Sequence, residues 1–414
     1  MRPPRVLAMI MAGGKGERLM PLTEERSKPA VPFGGQYRII DFVLSNFLNS
    51  GILSIYVLVQ YRSQSLIDHL RRAWRIGGRI KQHFITVVPP QMKVGEGWYA
   101  GTADAVFHNL NLIEDLAPDL VAVFGADHIY RMDIGQMVQF HLDREAEVTV
   151  AARPVPIRTA HAFGIIETDR DGRILGFEEK PKSPNPMPSD PESAYSSMGN
   201  YLFRTETLLK VLAGKAGKPG ARDFGADVLP SILGPHRVMA YDFMHNLVPG
   251  VEAYEEQGYW RDVGTIDAYW QAHMDLLGSA PKFALRNAAW PILGDTFDAP
   301  PASITNARLE EVLIGQGSLV GEANIRRSVI GRNVRIEGGA QIDECIILDG
   351  CTIGAQSRLS RAIVDRFNRL PSHSVIDGRS PRDDTRWHRT RSQLVVLPRQ
   401  RTRMGQETGV PELP

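Results

Sequence analysis

Cysteine is nearly missing: Cys345 and Cys351 are the only two in 414 residues. This excludes a disulfide framework and a Cys-based zinc site, and a reducing, cytoplasmic setting is expected. Long hydrophobic runs are missing as well. The apolar stretch Val6 to Ala12 is too short for a bilayer and leads into glycines rather than a cleavage site. A buried strand is therefore expected there, and no membrane partner. Nor is there an excess of charge of one sign. Lys plus Arg number 48 against 47 Asp plus Glu, which leaves no global field for nucleic acid, so any preference for anions is local. The 11 histidines show no metal-ligand spacing, and His128 and His161 read as groups that orient loops. What the chain does have is apolar content, 43%, enough to fill more than one core.

Two periodicities divide the chain. Over residues 1–285, Val6 to Met11, Ile52 to Val59, Leu120 to Phe124 and Val148 to Ala151 read as buried strands. Ile40 to Leu48, Ser63 to Trp74 and Ile134 to Asp143 carry apolar residues at three-to-four spacing, as helices do. The alternation predicts a layered α/β domain. Asp171-Gly172, between Phe163–Glu167 and Arg173–Glu178, predicts a hairpin projecting from the main sheet. Residues 286–303, with Trp290-Pro291 and Pro300-Pro301, read as a linker. Over 304–414 aliphatics recur about every six residues, at Leu313, Leu319, Ile325, Ile330, Ile336, Ile342, Leu348, Ile353 and Leu359. Such a hexapeptide period predicts a parallel β-helix. Cys345 and Cys351 would sit near its narrow core as small thiols.

The first strand runs into Ala12-Gly13-Gly14-Lys15-Gly16-Glu17-Arg18-Leu19, a turn that lets backbone N–H groups approach phosphate oxygens. Its glycine spacing fits neither the dinucleotide fingerprint nor the P-loop, and such turns also serve purely structural ends. Arg18 and the Lys28-Pro29 pair add two cations near that strand end, which suits a triphosphate. Leu120 to Phe124 leads into Gly125-Ala126-Asp127-His128, and open α/β sheets bind ligands at the carboxyl ends of their strands. Asp127 there, and Asp262 within Trp260-Arg261-Asp262-Val263-Gly264-Thr265, are candidate Mg²⁺ ligands. Each is also a residue type that caps helices.

These stretches occur in order with Gly101-Thr102-Ala103-Asp104-Ala105 and Glu179-Lys180-Pro181, and together they resemble the bacterial glucose-1-phosphate adenylyltransferases, or ADP-glucose pyrophosphorylases. The likeness covers nearly the whole chain, including Asp384 to Leu397. The adenylyl branch is indicated by Phe33-Gly34-Gly35, Arg38-Ile39-Ile40-Asp41-Phe42, Trp98-Tyr99, Ser197-Met198-Gly199 and Tyr259-Trp260-Arg261-Asp262. The resemblance implies an α/β fold: a Rossmann-like nucleotidyltransferase domain with a mixed, mostly parallel sheet, then a left-handed parallel β-helix. It implies a Mg²⁺-dependent reaction of ATP with glucose 1-phosphate to give ADP-glucose and pyrophosphate for glycogen synthesis. By it, Gly13, Gly14, Arg18 and Lys28 would bind nucleotide phosphates, with Arg18, Lys28 and Asp127 catalytic. Gln60 and Gly101 would lie against adenine and ribose, while Tyr99, Gly164, Glu179, Lys180 and Ser197 would hold glucose 1-phosphate. Asp127 and Asp262 would hold the metal. A homotetramer, and an anionic metabolite effector at Arg26, Arg38 and Arg386, are further implications.

Where activated relatives carry basic residues, this chain has Glu25 and Gln36, so an altered or weak effector response is expected. Three other readings compete with this one. A hexapeptide acyltransferase needs a histidine, but only His373 and His388 follow residue 300, and the N-terminal domain would go unexplained. A non-catalytic regulatory subunit conflicts with the retention of Asp127, Lys180 and Asp262. A sister enzyme using UTP or dTTP stays open, because base choice depends on a few backbone contacts.

Overall fold

The computed structural model describes residues 2–75, 83–91, 98–215, 222–378 and 387–400. A nine-stranded sheet organises the first half. Its parallel part runs Phe84–Val88, Ser54–Val59, Val6–Ala12 and Leu120–Gly125. Ser193–Arg204 joins Leu120–Gly125 antiparallel and also pairs with Gly164–Thr168 and Val148–Pro156. Ile174–Glu179 and Val238–Asp242 extend those two flanks. Both faces are covered. Ala8, Ile10 and Ala12 point into one core with Val43, Phe47 and Met137. Leu7 and Met9 point into the other with Leu208 and Val211. Burial on both sides is why the first strand reads as an unbroken apolar run.

The expected hairpin forms, but it does not project. Tyr195 pairs with Ile166 and Ser196 with Ile165, so the hairpin continues the main sheet at its edge. A second, two-stranded sheet pairs His128–Tyr130 with Trp260–Asp262, placing Asp262 opposite His128.

From Ser303–Ile304 onward, short parallel strands coil around a core of their own. Val320, Ile336, Ile353 and Leu370 stack in one ladder, and Ile325, Ile342, Leu359 and Ile376 in a second. Ile330, Ile347, Val364 and Leu397 form the third. Equivalent corners are turned by Arg327, Glu344 and Arg361 in the left-handed backbone region, with φ of 43°, 51° and 48°. This is a parallel β-helix built on the hexapeptide repeat, consistent with the left-handed form. Cys345 and Cys351 are buried within it.

The phase of the repeat differs from expectation at three positions. Leu319 is 43% exposed and its neighbour Val320 takes the inward place. Leu348 and Leu313 instead pack against the first domain, in a core shared with Phe33, Tyr269 and Trp270. A six-residue count cannot fix the phase where adjacent residues are both apolar. The shared core, with a hydrogen bond from Trp270 Nε1 to the Glu344 carbonyl at 2.9 Å, docks one face of the β-helix on the α/β domain. Among the described residues no helix is long and apolar enough to cross a membrane.

Candidate active site

A cleft of about 660 Å³ opens at the carboxyl ends of the parallel strands. Gly13, Gly14, Arg18, Lys28, Gln60, Tyr99, Gly101 and Asp127 line it. Gly14 has no protein atom within 4 Å of where a Cβ would stand, so its missing side chain leaves room for a ligand rather than for the fold. Gly101 is the opposite case. A Cβ there would lie 2.1 Å from the Arg222 carbonyl oxygen, because the backbone before Phe224–Val228 crosses directly over the start of helix Thr102–Phe107. Gln60 Nε2 donates to the Tyr99 carbonyl at 3.2 Å, and Asn109 Nδ2 to the Tyr99 hydroxyl at 3.0 Å, which fixes that wall.

At one end of the cleft the two-stranded sheet brings the acidic residues together. Asp127 precedes one strand and Asp262 ends its partner, so the register alone makes them neighbours. Asp127, His128 and Asp262 offer ligand atoms within 4.8 Å of one another, the one such group of three among the described residues. The capping alternatives fall away: Asp133 caps helix Ile134–Asp143 through Gly135 N, and Thr265 caps Ile266–Met274 through Ala268 N. Lys28, buried on a short helical turn, donates from Nζ to Asp127 at 2.9 Å and to Asp262 at 2.8 Å. Arg18 lies 4.0 Å from Asp262 with its side chain 70% exposed, free to turn toward a ligand. Burial opposes the charge on Lys28, but the two carboxylates outweigh it and raise its pKa above the ordinary value. Burial likewise opposes ionisation of Asp127, yet Lys28 and His128 hold its carboxyl well below the usual carboxylate range. Two carboxylates present hard oxygen donors with the His128 imidazole beside them, a set that fits a divalent cation.

Gly164, Glu179, Lys180 and Ser197 stand outside the lining of this cleft, gathered on adjoining strands. Gly164 pairs with Glu179, and a Cβ on Gly164 would come within 2.8 Å of the Glu179 carboxylate. Lys180 has φ of 50° and its Nζ lies 2.5 Å from Glu179. A lysine in the left-handed region is uncommon and aims this side chain away from the strand direction. Ser197 sits where the Ser193–Arg204 strand loses register between Ser197 and Tyr201, a bulge that re-aims side chains. Burial, with Asp223 and Glu179 nearby, pushes the Tyr201 phenol above its ordinary value. Asp223, which accepts from the Thr102 hydroxyl at 2.8 Å in the cleft wall, was not singled out from sequence. The only cue was an Asp before a helix start, which carries no chemistry by itself.

The effector candidates separate. Arg26 is buried, bonded to Asp365 of the β-helix and, at 2.9 Å, to the Leu22 carbonyl. Arg38 donates to the Ala30 carbonyl at 2.8 Å and lines a cavity of about 200 Å³ between the two domains with Arg72, Arg332 and Arg366. Burial, and the nearby Arg26 and Arg38 charges, bring Arg366 down to about 9. Glu25 lies 3.6 Å from Arg399. Arg386 lies outside the described residues.

A glycine turn and paired carboxylates at the strand ends of an α/β sheet define a class that works on nucleotide phosphates. The family described as Nucleotidyl transferase matches residues 7–279, and the one described as GlmU-like, C-terminal hexapeptide matches residues 300–397. The glucose-1-phosphate adenylyltransferase of Thermodesulfovibrio yellowstonii is 50% identical, over 96% of each chain. Those of Anaeromyxobacter sp. (strain Fw109-5) and Deinococcus deserti are 46% and 43% identical, over 95% and 96% of this chain and 98% and 99% of their own. The chain thus belongs to the nucleotidyl transferases, in the family of the glucose-1-phosphate adenylyltransferases. Nucleotidyl transferases generally use a divalent metal, and the Asp127, His128 and Asp262 group suits one.

Proposed function

We propose that this chain converts ATP and glucose 1-phosphate to ADP-glucose and pyrophosphate with Mg²⁺, supplying a glucosyl donor for glycogen synthesis in the cytoplasm. The observation that carries the reading is Lys28 bonded to both Asp127 and Asp262 at the end of a cleft with an open glycine wall, in a chain of this family. The sugar phosphate oxygen attacks the α-phosphorus, one P–O bond forms and the bond to the β-phosphate bridge breaks in line. No side chain need accept a proton, since a phosphomonoester with a second pKa of about 6 is already a dianion at neutral pH. Gly13 and Gly14 lie where backbone can approach phosphates, and Arg18 and Lys28 offset charge that builds on the pyrophosphate side. Glu179, Lys180 and Ser197 would hold the sugar phosphate. Asp127 and Asp262 would hold the Mg²⁺, which when bound draws the phosphates together and neutralises their charge.

For regulation, the inter-domain cavity offers Arg38 with Arg72, Arg332 and Arg366 to an anionic metabolite, whereas Arg26 is already committed to Asp365. Glu25 stands beside Arg399, which supports a weak or altered response, and strong activation by fructose 1,6-bisphosphate would contradict it. A homotetramer remains part of this proposal.

The deciding assay is pyrophosphate release from ATP, UTP, dTTP and GTP at equal concentration, with glucose 1-phosphate and Mg²⁺. A strong preference for ATP is expected. Preference for another nucleotide would move the chain to a sister branch, and no release with any would leave it a non-catalytic subunit.

A further inference from the structure

The loop 254–258 does not line the cleft, yet two adjacent carboxylates on it grip three arginines from different parts of the site. Glu255 accepts from Arg131 at 2.9 Å, and Arg131 directly follows the strand His128–Tyr130. Glu256 binds Arg261, the neighbour of Asp262, through both oxygens at 2.9 and 2.5 Å. The same Glu256 accepts from Arg153 at 2.9 Å, while Arg153 Nε donates to the Gly258 carbonyl at 2.9 Å. Arg153 belongs to strand Val148–Pro156 and lies opposite Ser196, one residue from Ser197. Arg261 is held further by Asp275 at 3.1 Å and lies over the Tyr259 ring at 4.2 Å. Burial opposes ionisation of Glu256, but Arg261 and Arg153 outweigh it and keep the carboxyl below its ordinary value.

These contacts matter because, among the described residues, strand Trp260–Asp262 pairs only with His128–Tyr130 and has no main-chain ladder to the large sheet. Side chains therefore help to set its distance from the strand that presents Ser197. We propose that Glu256, bridging Arg153 and Arg261, is a positioning residue that holds Asp262 in register with the sugar-phosphate strand. Most of the nucleotide wall is built from other segments, Gly13–Arg18, Gln60 and Tyr99–Thr102, and Gly264 is the lining residue nearest Asp262 in the chain. Loosening the bridge therefore moves the metal carboxylate relative to the sugar phosphate and disturbs the ATP side less, since Asp262 reaches that side through Lys28 and Arg18 alone among the cations placed there. Partners one step behind a metal ligand commonly act this way, by orienting the group that does the binding. The inference rests on the reaction proposed above.

The test uses the full-length chain and the variant Glu256→Gln, which keeps shape and removes the charge. Three constants are read: KM for glucose 1-phosphate, KM for ATP, and Mn²⁺ binding by electron paramagnetic resonance with ATP present and sugar phosphate absent. The sugar-phosphate KM should rise and Mn²⁺ affinity should fall by about tenfold each, with the ATP KM rising by a clearly smaller factor. Arg153→Lys, which keeps the charge but loses the fork, should give the same split in milder form, and it carries the test if Glu256→Gln does not fold. Unchanged constants, or both KM values rising by the same factor, overturn the proposal. A wild-type chain that forms no ADP-glucose would refute the reaction instead, and the Mn²⁺ arm would still judge the bridge.

Discussion

Lys28 places one ammonium within hydrogen-bonding distance of two carboxylates in a largely enclosed corner. Its charge therefore offsets the cost of placing Asp127 and Asp262 side by side. Removing Asp127 takes away a metal ligand and leaves Lys28 with a single carboxylate partner. Asp127→Ala should fold and lose about 10²–10³-fold in kcat, measured as pyrophosphate release at saturating Mg²⁺; near-normal turnover would refute the role. Asp127 was readable from sequence because a strand end in an α/β sheet is a privileged place for a ligand. Its tie to Asp262 was not, since nothing local in either segment states that His128–Tyr130 and Trp260–Asp262 pair. Family resemblance supplied that link, and the register supplies its physical cause. Arg26 shows the limit of reading charge alone. A guanidinium between Glu25 and Lys28, offered to an effector by the resemblance, looks available to an anion until its buried partner Asp365, 339 residues away, is seen.

At the scale of elements, the two glycines of the cleft make opposite demands. An alanine at position 101 would drive its methyl into the Arg222 carbonyl, 2.1 Å away. Either helix Thr102–Phe107 or the Phe224–Val228 segment must then retreat. Gly101→Ala should cost about 1–3 kcal/mol of stability by overpacking and raise the ATP KM, because Tyr99 and Thr102 move with it. At position 14 no protein atom stands within 4 Å. Gly14→Ala should leave urea denaturation within about 0.5 kcal/mol of the parent while still raising the ATP KM. Equal stability losses in the two variants would contradict the cradle assigned to Gly14. Elements with a single strong period were legible: Ile134 to Asp143 has its expected ends, with Asp133 as cap. The hairpin's attachment and the phase at Leu319 were not, because both depend on long-range pairing that turn chemistry and residue counting do not carry.

Across the whole molecule, the seam between the α/β domain and the β-helix runs past a histidine that titrates out of range. His273 is fully buried, with its ring 4.2 Å from that of Phe33 and 4.4 Å from that of Tyr269. Its Nδ1–H donates to the Tyr269 carbonyl at 2.9 Å, so Nε2 is free to accept from Gly34 N–H at 3.2 Å. A proton on Nε2 would break the Gly34 bond and bury a charge. Burial therefore lowers its pKa to about 4, although the Tyr269 carbonyl favours the charged form. Between about 6.5 and 4 the unfolded chain takes up a proton at this residue and the folded chain does not, so stability falls as pH falls. The loss approaches about 3 kcal/mol by the lower limit, at about 1.4 kcal/mol per pH unit. His141, buried beside Thr149, is lowered to about 4 as well, by burial and then by Arg204, and it adds a parallel loss inside the α/β domain alone. His273→Gln removes the proton uptake at the seam and leaves the one at His141. Urea unfolding at steps from pH 7 to 4.5 should give a shallower acid limb for the variant, even if it is less stable at pH 7. Because Phe33, Tyr269 and Trp270 share one core with Val329, Ile346 and Leu348, Trp270 fluorescence should follow the same limb. Parallel acid limbs in variant and parent would mean that the charge at His273 is tolerated and that the two domains do not part there.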